Sequence, residues 1–523
     1  MASPTGLQQL HFVLIPLMCP GHLIPMVDMA RLLVEHGVMV TLITTPLNAI
    51  RFEAIINRDI QSGLPIRILK LRFPCVEAGL PEGCENMDAL PSPKLSKNFF
   101  DAARVLQQPI EKFLEETSPA PNCIISDRYL PWTIYTASKI GIPRLAFDGT
   151  SCFAFMCSYN IKSSRIHEKV SDSEYFVVPG LPDRIEVTKA QLPGTLNAGS
   201  VTFKDMLDEI KAADEASYGL VFNSFQELEE RYVEECRKVK GDKVWCVGPV
   251  SLCNKDNIDK GQRGNKTSID EKECLKWLNS WPSKSVVYAC LGTLGCMSPL
   301  QLIELGLALE ASKRPFIWVI RDGVNSNEFE KLFYEEGLER RTKDIGLIIR
   351  GWAPQVLILS HPAIGGFLTH CGWNSILEGV SAGLPMMTWP LLAEQFFNEQ
   401  FVLRILRIGE KVGASIVMNR GEEKQCGVMV KREGIRKAIQ MVMDEEEGKE
   451  KKKRAKELGE MANKALEGGE SSYRNIKLLI EDILNQSKSK KKGGQRVTHE
   501  EGFNKASGIT SSLSFMKFTL RLF

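Results

Sequence analysis

The sequence predicts an α/β protein made of two doubly wound halves, each a parallel sheet covered by helices. Two observations lead to this prediction. Apolar runs of strand length alternate with amphipathic helical segments, which is the pattern of repeated βα units. The alternation also occurs twice, before residue 250 and after residue 271, with a polar stretch between the two series. A length of 523 residues fits two domains, because single cores rarely grow beyond about 250–300 residues.

The first series predicts an amino-terminal domain over residues 1–250. It begins with the apolar run HFVLIPL (11–17), a buried strand, after which His22 opens an amphipathic helix. The remaining strands are predicted at 38–45, 66–73, 123–127, 143–147, 219–225 and 243–249. Helices are predicted between them at 98–117, 130–140 and 227–239.

The second series predicts a carboxyl-terminal domain over residues 271–487, joined to the first by a polar linker over 251–270. Its predicted strands are 285–293, 315–321, 347–352 and 363–368, with an amphipathic helix at 299–312. The basic run SKSKKKGGQR then begins a segment without clear periodicity, and we expect residues 488–523 to form a disordered tail.

Composition excludes several classes of function. The net charge of +2 gives no electrostatic basis for binding nucleic acid or a membrane surface. The 14 cysteines are scattered without a C-x-x-C pair, so they are expected to be reduced thiols. We find no basic signal sequence and no apolar run long enough to cross a bilayer. We therefore expect a cytoplasmic monomer without stable membrane insertion.

One stretch, Trp352–Gln395, carries most of the chemistry. Its apolar run AIGGFL predicts a strand that breaks at Thr369–Gly372, and a helix is predicted to start near Trp373. A glycine turn at a helix N-terminus leaves backbone N–H groups free, and the helix dipole favours negative charge there. This turn is therefore expected to bind a phosphate.

The flanking residues suit a nucleotide sugar. Trp352 offers a flat face for a base, Gln355 an amide for its edge, and Glu378 a carboxylate for both hydroxyls of a ribose. Glu394 and Gln395 supply groups that match sugar hydroxyls. An alternative for Ser375-x-x-Glu378 is a capping box, which requires no ligand.

This stretch closely resembles, without a gap, the signature box of the plant secondary-product glycosyltransferases of family 1, which use UDP-sugars. The resemblance extends over residues 8–487 and is closest to the subgroup that glucosylates triterpenoids, steroids and flavonoids. It implies the GT-B fold, in which two Rossmann-like domains face each other across a cleft. It also implies that the last helix, about 472–486, packs on the first domain.

The resemblance also implies roles for individual residues. The segments GHLIPMVDMARLL and CIISDRYLPWT are similar to those that carry the family's catalytic histidine and its aspartate, here His22 and Asp127. Both follow predicted strands at the same sheet edge. A histidine at a helix N-terminus is expected to be neutral, as a general base must be. The implied UDP-sugar contacts are Thr293, Trp352, Ala353, Gln355, His370, Gly372, Trp373, Asn374, Ser375, Glu378, Glu394 and Gln395.

The predicted reaction is an inverting transfer of glucose from UDP-glucose to a hydroxyl or carboxyl group of a lipophilic plant metabolite. In the resembled family, a glutamine at the position of Gln395 usually accompanies glucose. The absence of arginine from 389–395 argues against a glucuronate donor. We find no Asp-x-Asp metal motif and expect no metal or other cofactor. Asp148 is a departure, because many relatives have histidine there, near the acceptor pocket.

Large apolar residues in the first half are expected to form the acceptor wall. They are Phe99, Phe100, Leu130, Pro131, Trp132, Phe153 and Phe155, and the alternative is that many of them belong to the core. Three alternatives stay open: a catalytically inactive UDP-sugar-binding protein, and the same fold with UDP-galactose or UDP-glucuronate as donor. A dinucleotide oxidoreductase is disfavoured, because no G-x-G-x-x-G follows the first strand.

Overall fold

The computed structural model describes residues 9–196, 201–293, 297–321, 331, 337–418, 427–444 and 446–500. Within these ranges, two parallel sheets form the framework of the molecule. Each is flanked by helices, and the predicted α/β class with two doubly wound halves is confirmed.

The first sheet contains seven parallel strands among the described residues, in the order β3-β2-β1-β4-β5-β8-β9. Its strands are β1 (His11–Ile15), β2 (Met39–Thr44), β3 (Ile66–Lys70), β4 (Cys123–Asp127), β5 (Arg144–Asp148), β8 (Gly219–Phe222) and β9 (Val244–Cys246). A separate antiparallel hairpin consists of β6 (Tyr175–Val177) and β7 (Glu186–Thr188). All five residues of β1 are buried, as expected for a central parallel strand covered on both faces.

Helices connect these strands in the manner of βα units. They are α1 (Pro20–Glu35), α2 (Pro46–Ala49), α3 (Glu53–Gln61), α4 (Ser96–Val105), α5 (Gln107–Glu116), α6 (Thr133–Ile140), α7 (Cys152–Ser164), α8 (Val201–Ala216) and α9 (Gln226–Lys240). Helix α1 begins at Pro20, so His22 is its third residue and not its first. Proline is favoured in the first helical turn, where its missing N–H has no intrahelical partner.

The second sheet contains six parallel strands among the described residues, in the order β12-β11-β10-β13-β14-β15. They are β10 (Val286–Cys290), β11 (Phe316–Ile320), β12 (Gly346–Arg350), β13 (Ile364–Thr369), β14 (Met386–Thr388) and β15 (Gly409–Lys411). The associated helices are α11 (Glu271–Asn279), α12 (Pro299–Ser312), α13 (Leu338–Thr342), α14 (Gln355–Leu359), α15 (Trp373–Ser381), α16 (Gln395–Gln400) and α17 (Arg432–Met443). A π-helical turn, Phe401–Leu406, continues from α16.

The segment expected to be a polar linker is folded onto the first domain. It contains a 3₁₀ turn, Val250–Cys253, and a short helix, α10 (Asn257–Gly261). Arg31 of α1 donates to Asn254 Oδ1 at 2.8 Å and to Asp259 Oδ2 at 2.6 Å. The polar residues of this segment therefore form a buried network of ion pairs and amide hydrogen bonds, and they do not form a loose linker.

The last two helices lead the chain back to the first sheet. They are α18 (Lys449–Ala465) and α19 (Ser471–Glu500). Ile476, Leu479 and Ile483 of α19 are buried in the same core as strands β1 and β2, and Asn475 donates to the carbonyl of Cys246 at 3.1 Å.

Helix α19 also extends beyond its expected end. Residues 488–500 are helical rather than disordered. The remainder of the expected tail, 501–523, lies outside the described residues. Within the described part of the chain, no helix has both the length and the apolar character needed to cross a bilayer.

Candidate active site

The sequence-predicted site residues come together in one cleft between the two domains, with a cavity volume of about 850 Å³. All twelve predicted UDP-sugar contacts line this cleft, as does His22. Asp127 lies behind His22 at the end of β4 and is fully buried. The carboxyl ends of β1, β4, β10 and β13 supply most of these residues, as expected for ligand sites in open parallel sheets.

His22 and Asp127 form a hydrogen-bonded pair. The two atoms, His22 Nδ1 and Asp127 Oδ2, are 2.7 Å apart, and the histidine side chain is 24% exposed. The other carboxylate oxygen of Asp127 accepts from the backbone N–H of Tyr129 at 2.9 Å. The carboxylate thus holds one ring nitrogen of His22 and leaves Nε2 free to accept a proton.

The electrostatics of His22 differ from the expectation based on the helix dipole. Burial lowers the pKa of His22, but the charge and hydrogen bond of Asp127 outweigh it and raise the pKa above 6.5. A carboxylate in direct contact has a stronger effect than partial charges distributed over a helix end. His22 is therefore a stronger base than an isolated histidine.

Two glycine turns and a buried histidine form the expected phosphate site. The ring of His370 lies between Gly292 and Gly372, where a Cβ added to either residue would collide with it. Gly292 also has a φ of +77°, which favours glycine. Burial lowers the pKa of His370 to about 4, so the ring is neutral and donates from one nitrogen only.

The N-terminus of α15 faces the same region. Its N-cap is Gly372, which provides no side-chain cap. The first-turn N–H groups are therefore available to an anion, and Thr293 adds a hydroxyl to the cleft. The capping-box alternative is wrong, because Ser375 is the third residue of the helix rather than its N-cap.

The predicted nucleoside residues form one contact network. Gln355 Nε2 donates to Glu378 Oε2 at 2.7 Å and to Ser375 Oγ at 3.0 Å. Trp352 and Ala353 precede Gln355 and line the cleft beside it. An aromatic face, an amide and a buried carboxylate thus lie within one short stretch of wall, a combination suited to a base and its ribose.

The end of the cleft that is expected to bind the sugar contains Glu394 and Gln395. Burial raises the pKa of Glu394. Gln395 Oε1 accepts from the backbone N–H groups of Leu391 and Leu392 at 2.8 and 3.0 Å. This orientation leaves its Nε2 group to donate.

Two further predicted contacts join the domains through their side chains. Trp373 Nε1 donates to the carbonyl of Asn223 at 2.7 Å, and the indole is 2% exposed. Asn374 Nδ2 donates to the carbonyl of Gly21 at 2.6 Å. The one polar atom of the Trp373 side chain therefore makes a contact between the domains.

The residues expected to form the acceptor wall mostly lie elsewhere. Six of them are buried, and Phe100 packs against a core of the first domain. Phe153, for example, packs against Phe401 of the second domain with ring centroids 5.0 Å apart. Sequence patterns do not distinguish an apolar side chain in a core from one that faces a cleft, and the core alternative holds for the buried six: Phe99, Leu130, Pro131, Trp132, Phe153 and Phe155.

Asp148, which stands where many members of the resembled family have histidine, is part of an ion-pair network. It binds Arg128, which also donates to Asp214 Oδ2 at 2.6 Å. Burial raises the pKa of the Asp148 carboxyl, and the guanidinium of Arg128 opposes this rise. The next residue, Gly149, lines the cleft, and a Cβ added to it would lie 3.3 Å from His22 Nδ1, so the network lies close to His22.

Sequence reasoning missed the contribution of the segment between the domains. Lys260, Arg263, Asn265 and Lys266 all line the cleft. The only available signal was an unusual density of charge and glycine in RGNK, which is also typical of an exposed loop. Among the described residues, no group of three or more His, Cys, Asp or Glu side chains is arranged to hold a metal ion.

Comparison with known proteins places this site in context. Residues 249–458 match the family model described as UDP-glucoronosyl and UDP-glucosyl transferase. The chain is 50% identical over 488 residues to UDP-glycosyltransferase 73C2 of Arabidopsis thaliana, covering 92% of this chain and 98% of that protein. It is also 50% identical over 496 residues to UDP-glycosyltransferase 73C25 of Barbarea vulgaris, covering 94% and 100%.

A solved structure shows the same fold. The crystal structure of Glycyrrhiza uralensis UGT73P12, complexed with glycyrrhetinic acid 3-O-monoglucuronide, superposes with a TM-score of 0.86 at 39% identity. The alignment covers 94% of this chain and 100% of that one. The two facing Rossmann-like domains are thus those of the GT-B fold.

Proposed function

The chain belongs to the plant family 1 UDP-glycosyltransferases, and on that premise we propose that it transfers glucose from UDP-glucose to a lipophilic metabolite, with inversion at the anomeric carbon. The observation that carries the proposal is the pairing of His22 with Asp127 at the wall of a cleft whose other wall presents Glu394 and Gln395. A base and a set of sugar-binding groups therefore face one another.

In the proposed reaction, His22 Nε2 removes the proton from the acceptor hydroxyl. The acceptor oxygen forms a bond to the anomeric carbon while the bond between that carbon and the diphosphate oxygen breaks. The pair of electrons leaves with UDP, and the proton stays on His22 until it passes to solvent. Asp127 stabilises the imidazolium and keeps Nδ1 protonated beforehand.

The leaving diphosphate is stabilised by groups that need no metal. The N-terminus of α15 offers backbone N–H donors, and Thr293 and neutral His370 add side-chain donors. Preorganised donors aimed at developing charge are an effective means of transition-state stabilisation. We accordingly propose metal-independent transfer.

Glucose is the proposed sugar because of Glu394 and Gln395. A carboxylate beside an amide donor suits adjacent hydroxyls of a hexose. No arginine lies within 389–395 to pair with the carboxylate of a glucuronate. The absence of arginine supports UDP-glucose over UDP-glucuronate as the donor. Gln395 supports UDP-glucose over UDP-galactose.

The proposed acceptor is a triterpenoid, a steroid or a flavonoid with a free hydroxyl. Support comes from the similar UGT73P12, which was crystallised with a glycyrrhetinic acid glucuronide, a triterpenoid derivative. A cleft of about 850 Å³ has room for a nucleotide sugar and a polycyclic acceptor together. We also propose that the protein acts as a cytoplasmic monomer.

A turnover screen tests this function. The purified chain is incubated with UDP-glucose and one acceptor of each class, and products are identified by mass spectrometry. We expect addition of a single hexose to at least one aglycone, accompanied by release of UDP. Binding of UDP without any transferred sugar would instead favour the inactive sugar-nucleotide-binding protein.

A further inference from the structure

A buried arginine in the segment between the domains joins two carboxylates that belong to different domains. Arg263 Nε donates to Asp28 Oδ2 of helix α1 at 2.7 Å, and its Nη1 donates to Glu378 Oε1 of helix α15 at 2.6 Å. The Arg263 side chain is only 9% exposed. A guanidinium can bridge two carboxylates in this way because its donors point in fixed, divergent directions.

The same glutamate is held from its other side by Gln355. Because Gln355 binds Oε2 and Arg263 binds Oε1, the Glu378 carboxylate has one defined orientation. An ionised carboxylate has about four acceptor sites, so about two stay open for other donors. Two vicinal hydroxyls of a ribose match that remaining capacity.

The first-domain end of the bridge is also fixed. Asn254 Nδ2 donates to Asp28 Oδ1 at 3.0 Å, which orients the carboxylate that Arg263 uses. The next residue along the chain, Gly264, has a φ of +92°, and a Cβ there would lie 2.5 Å from Trp352 Cζ2 and 3.0 Å from Ile24 Cδ1. The backbone of Gly264, next to Arg263, is therefore packed closely between helix α1 and the indole of Trp352, which is predicted to stack on the base.

The positive charge of Arg263 balances the two carboxylates, Asp28 and Glu378. Burial lowers the pKa of its guanidinium, but Asp28 and Glu378 raise it overall, so the group stays charged. Breaking a buried ion pair by removing one partner leaves an uncompensated charge, which reorganises or takes up a counter-ion. Without Arg263, the carboxylate of Glu378 would lose the partner that fixes its position.

We propose that Arg263 is a positioning residue for the donor nucleotide: it fixes the carboxylate of Glu378 for the ribose hydroxyls and ties this acceptor to the first domain through Asp28. The inference rests on the proposed function, because it assumes that the nucleotide of a UDP-sugar occupies this cleft. Because Arg263 bridges Asp28 and Glu378, recognition of the ribose depends on contact between the two domains and not on the second domain alone.

The test compares UDP with 2′-deoxy-UDP, which lacks one of the two ribose hydroxyls. Calorimetric titration of the full chain gives both dissociation constants for the wild type and for Arg263→Gln. Arg58→Gln is the matched control, since Arg58 binds Asp259 and Gln262 of the same segment. Both substitutions remove one positive charge and replace the guanidinium by an amide.

We expect wild-type protein and the Arg58→Gln control to bind UDP more tightly than 2′-deoxy-UDP. Arg263→Gln should weaken UDP binding by about 10- to 100-fold, the effect of losing a hydrogen bond between charged groups. It should weaken 2′-deoxy-UDP binding less, so that the preference for ribose falls towards parity. In turnover assays, KM for the donor should rise while KM for the acceptor stays unchanged.

One result would overturn the inference: an unchanged preference for ribose in Arg263→Gln, whether both nucleotides bind more weakly by the same factor or neither is affected. A thermal unfolding scan checks that the variant is folded. If it is not, Asp28→Asn replaces it, because this change removes the first-domain anchor and should also reduce the ribose preference. A wild-type protein that binds neither nucleotide contradicts the proposed function, whereas one that binds both equally contradicts only the role of Arg263.

Discussion

Replacing Asp127 by asparagine should damage catalysis more than replacing it by alanine. In the wild type, Oδ1 accepts from the N–H of Tyr129 and Oδ2 faces His22 Nδ1. An asparagine must keep its oxygen towards the Tyr129 N–H, so its NH₂ group would face Nδ1. His22 would then carry its proton on Nε2, the nitrogen that must act as the base.

The magnitudes follow from the contacts that are lost. Asp127→Ala removes one hydrogen bond to a charged group, about 1.5–3 kcal/mol, which is about 10- to 100-fold in kcat. Asp127→Asn adds the wrong tautomer, which at the equivalent position of a Ser-His-Asp triad costs about 10⁴-fold. The asparagine variant should therefore be the slower of the two by at least about tenfold.

The pH dependence provides an independent measure. A general base works unprotonated, so kcat/KM should fall as pH decreases through the pKa of His22, which Asp127 raises above 6.5. In Asp127→Ala, the lowering effect of burial is no longer opposed by the carboxylate. The acid limb should therefore move to lower pH. Equal rates in the two variants, with an acid limb that does not move, would refute this reasoning.

Four further predictions address the remaining parts of the site. His22→Ala should reduce turnover by about 10²–10⁴-fold while leaving the calorimetric Kd for UDP unchanged, because the base is not a nucleotide contact; near-normal turnover would exclude His22 as the base. Gln395→Ala should slow glucosyl transfer by about 10- to 100-fold, since one hydrogen bond to a sugar hydroxyl is worth about 1–3 kcal/mol, and an unaltered rate would show that the amide does not contact the sugar. Gly264→Ala should raise the donor KM, because the new Cβ would lie 2.5 Å from Trp352 Cζ2 at a φ of +92°; an unchanged KM would mean that this wall of the cleft yields freely. Treatment with EDTA should leave initial rates unchanged, and loss of activity that Mg²⁺ or Mn²⁺ restores would contradict metal-independent transfer.

The fold could be predicted from the sequence because its strands are buried on both faces and therefore appear as continuous apolar runs. The predicted strand at 123–127 coincides with β4, and the predicted helix at 299–312 coincides with α12. The strand at 11–17 was predicted two residues too long, because Pro16 and Leu17 continue the apolar run after the strand ends. Apolar character shows burial but does not show where hydrogen bonding to a neighbouring strand stops.

The site could be predicted less completely than the fold. His22 and Asp127 are 105 residues apart, and the sequence linked them only through their shared sheet edge and the resemblance to a family. Arg263 could not be anticipated, because a charged residue between glycine and polar residues usually lies in a solvated loop. Its burial depends on two carboxylates from distant parts of the chain. The contact of the Trp373 side chain could not be anticipated for a similar reason, since its partner is a backbone carbonyl of the other domain.

The most direct test of the account is the donor preference of the wild-type protein. Initial rates are measured with UDP-glucose, UDP-galactose and UDP-glucuronate at equal concentrations and with one acceptor found in the screen. The arrangement of Glu394 and Gln395, with no arginine within 389–395, predicts that UDP-glucose is the fastest donor. A higher rate with UDP-galactose or UDP-glucuronate would contradict the proposed donor, even with the fold and the catalytic pair intact.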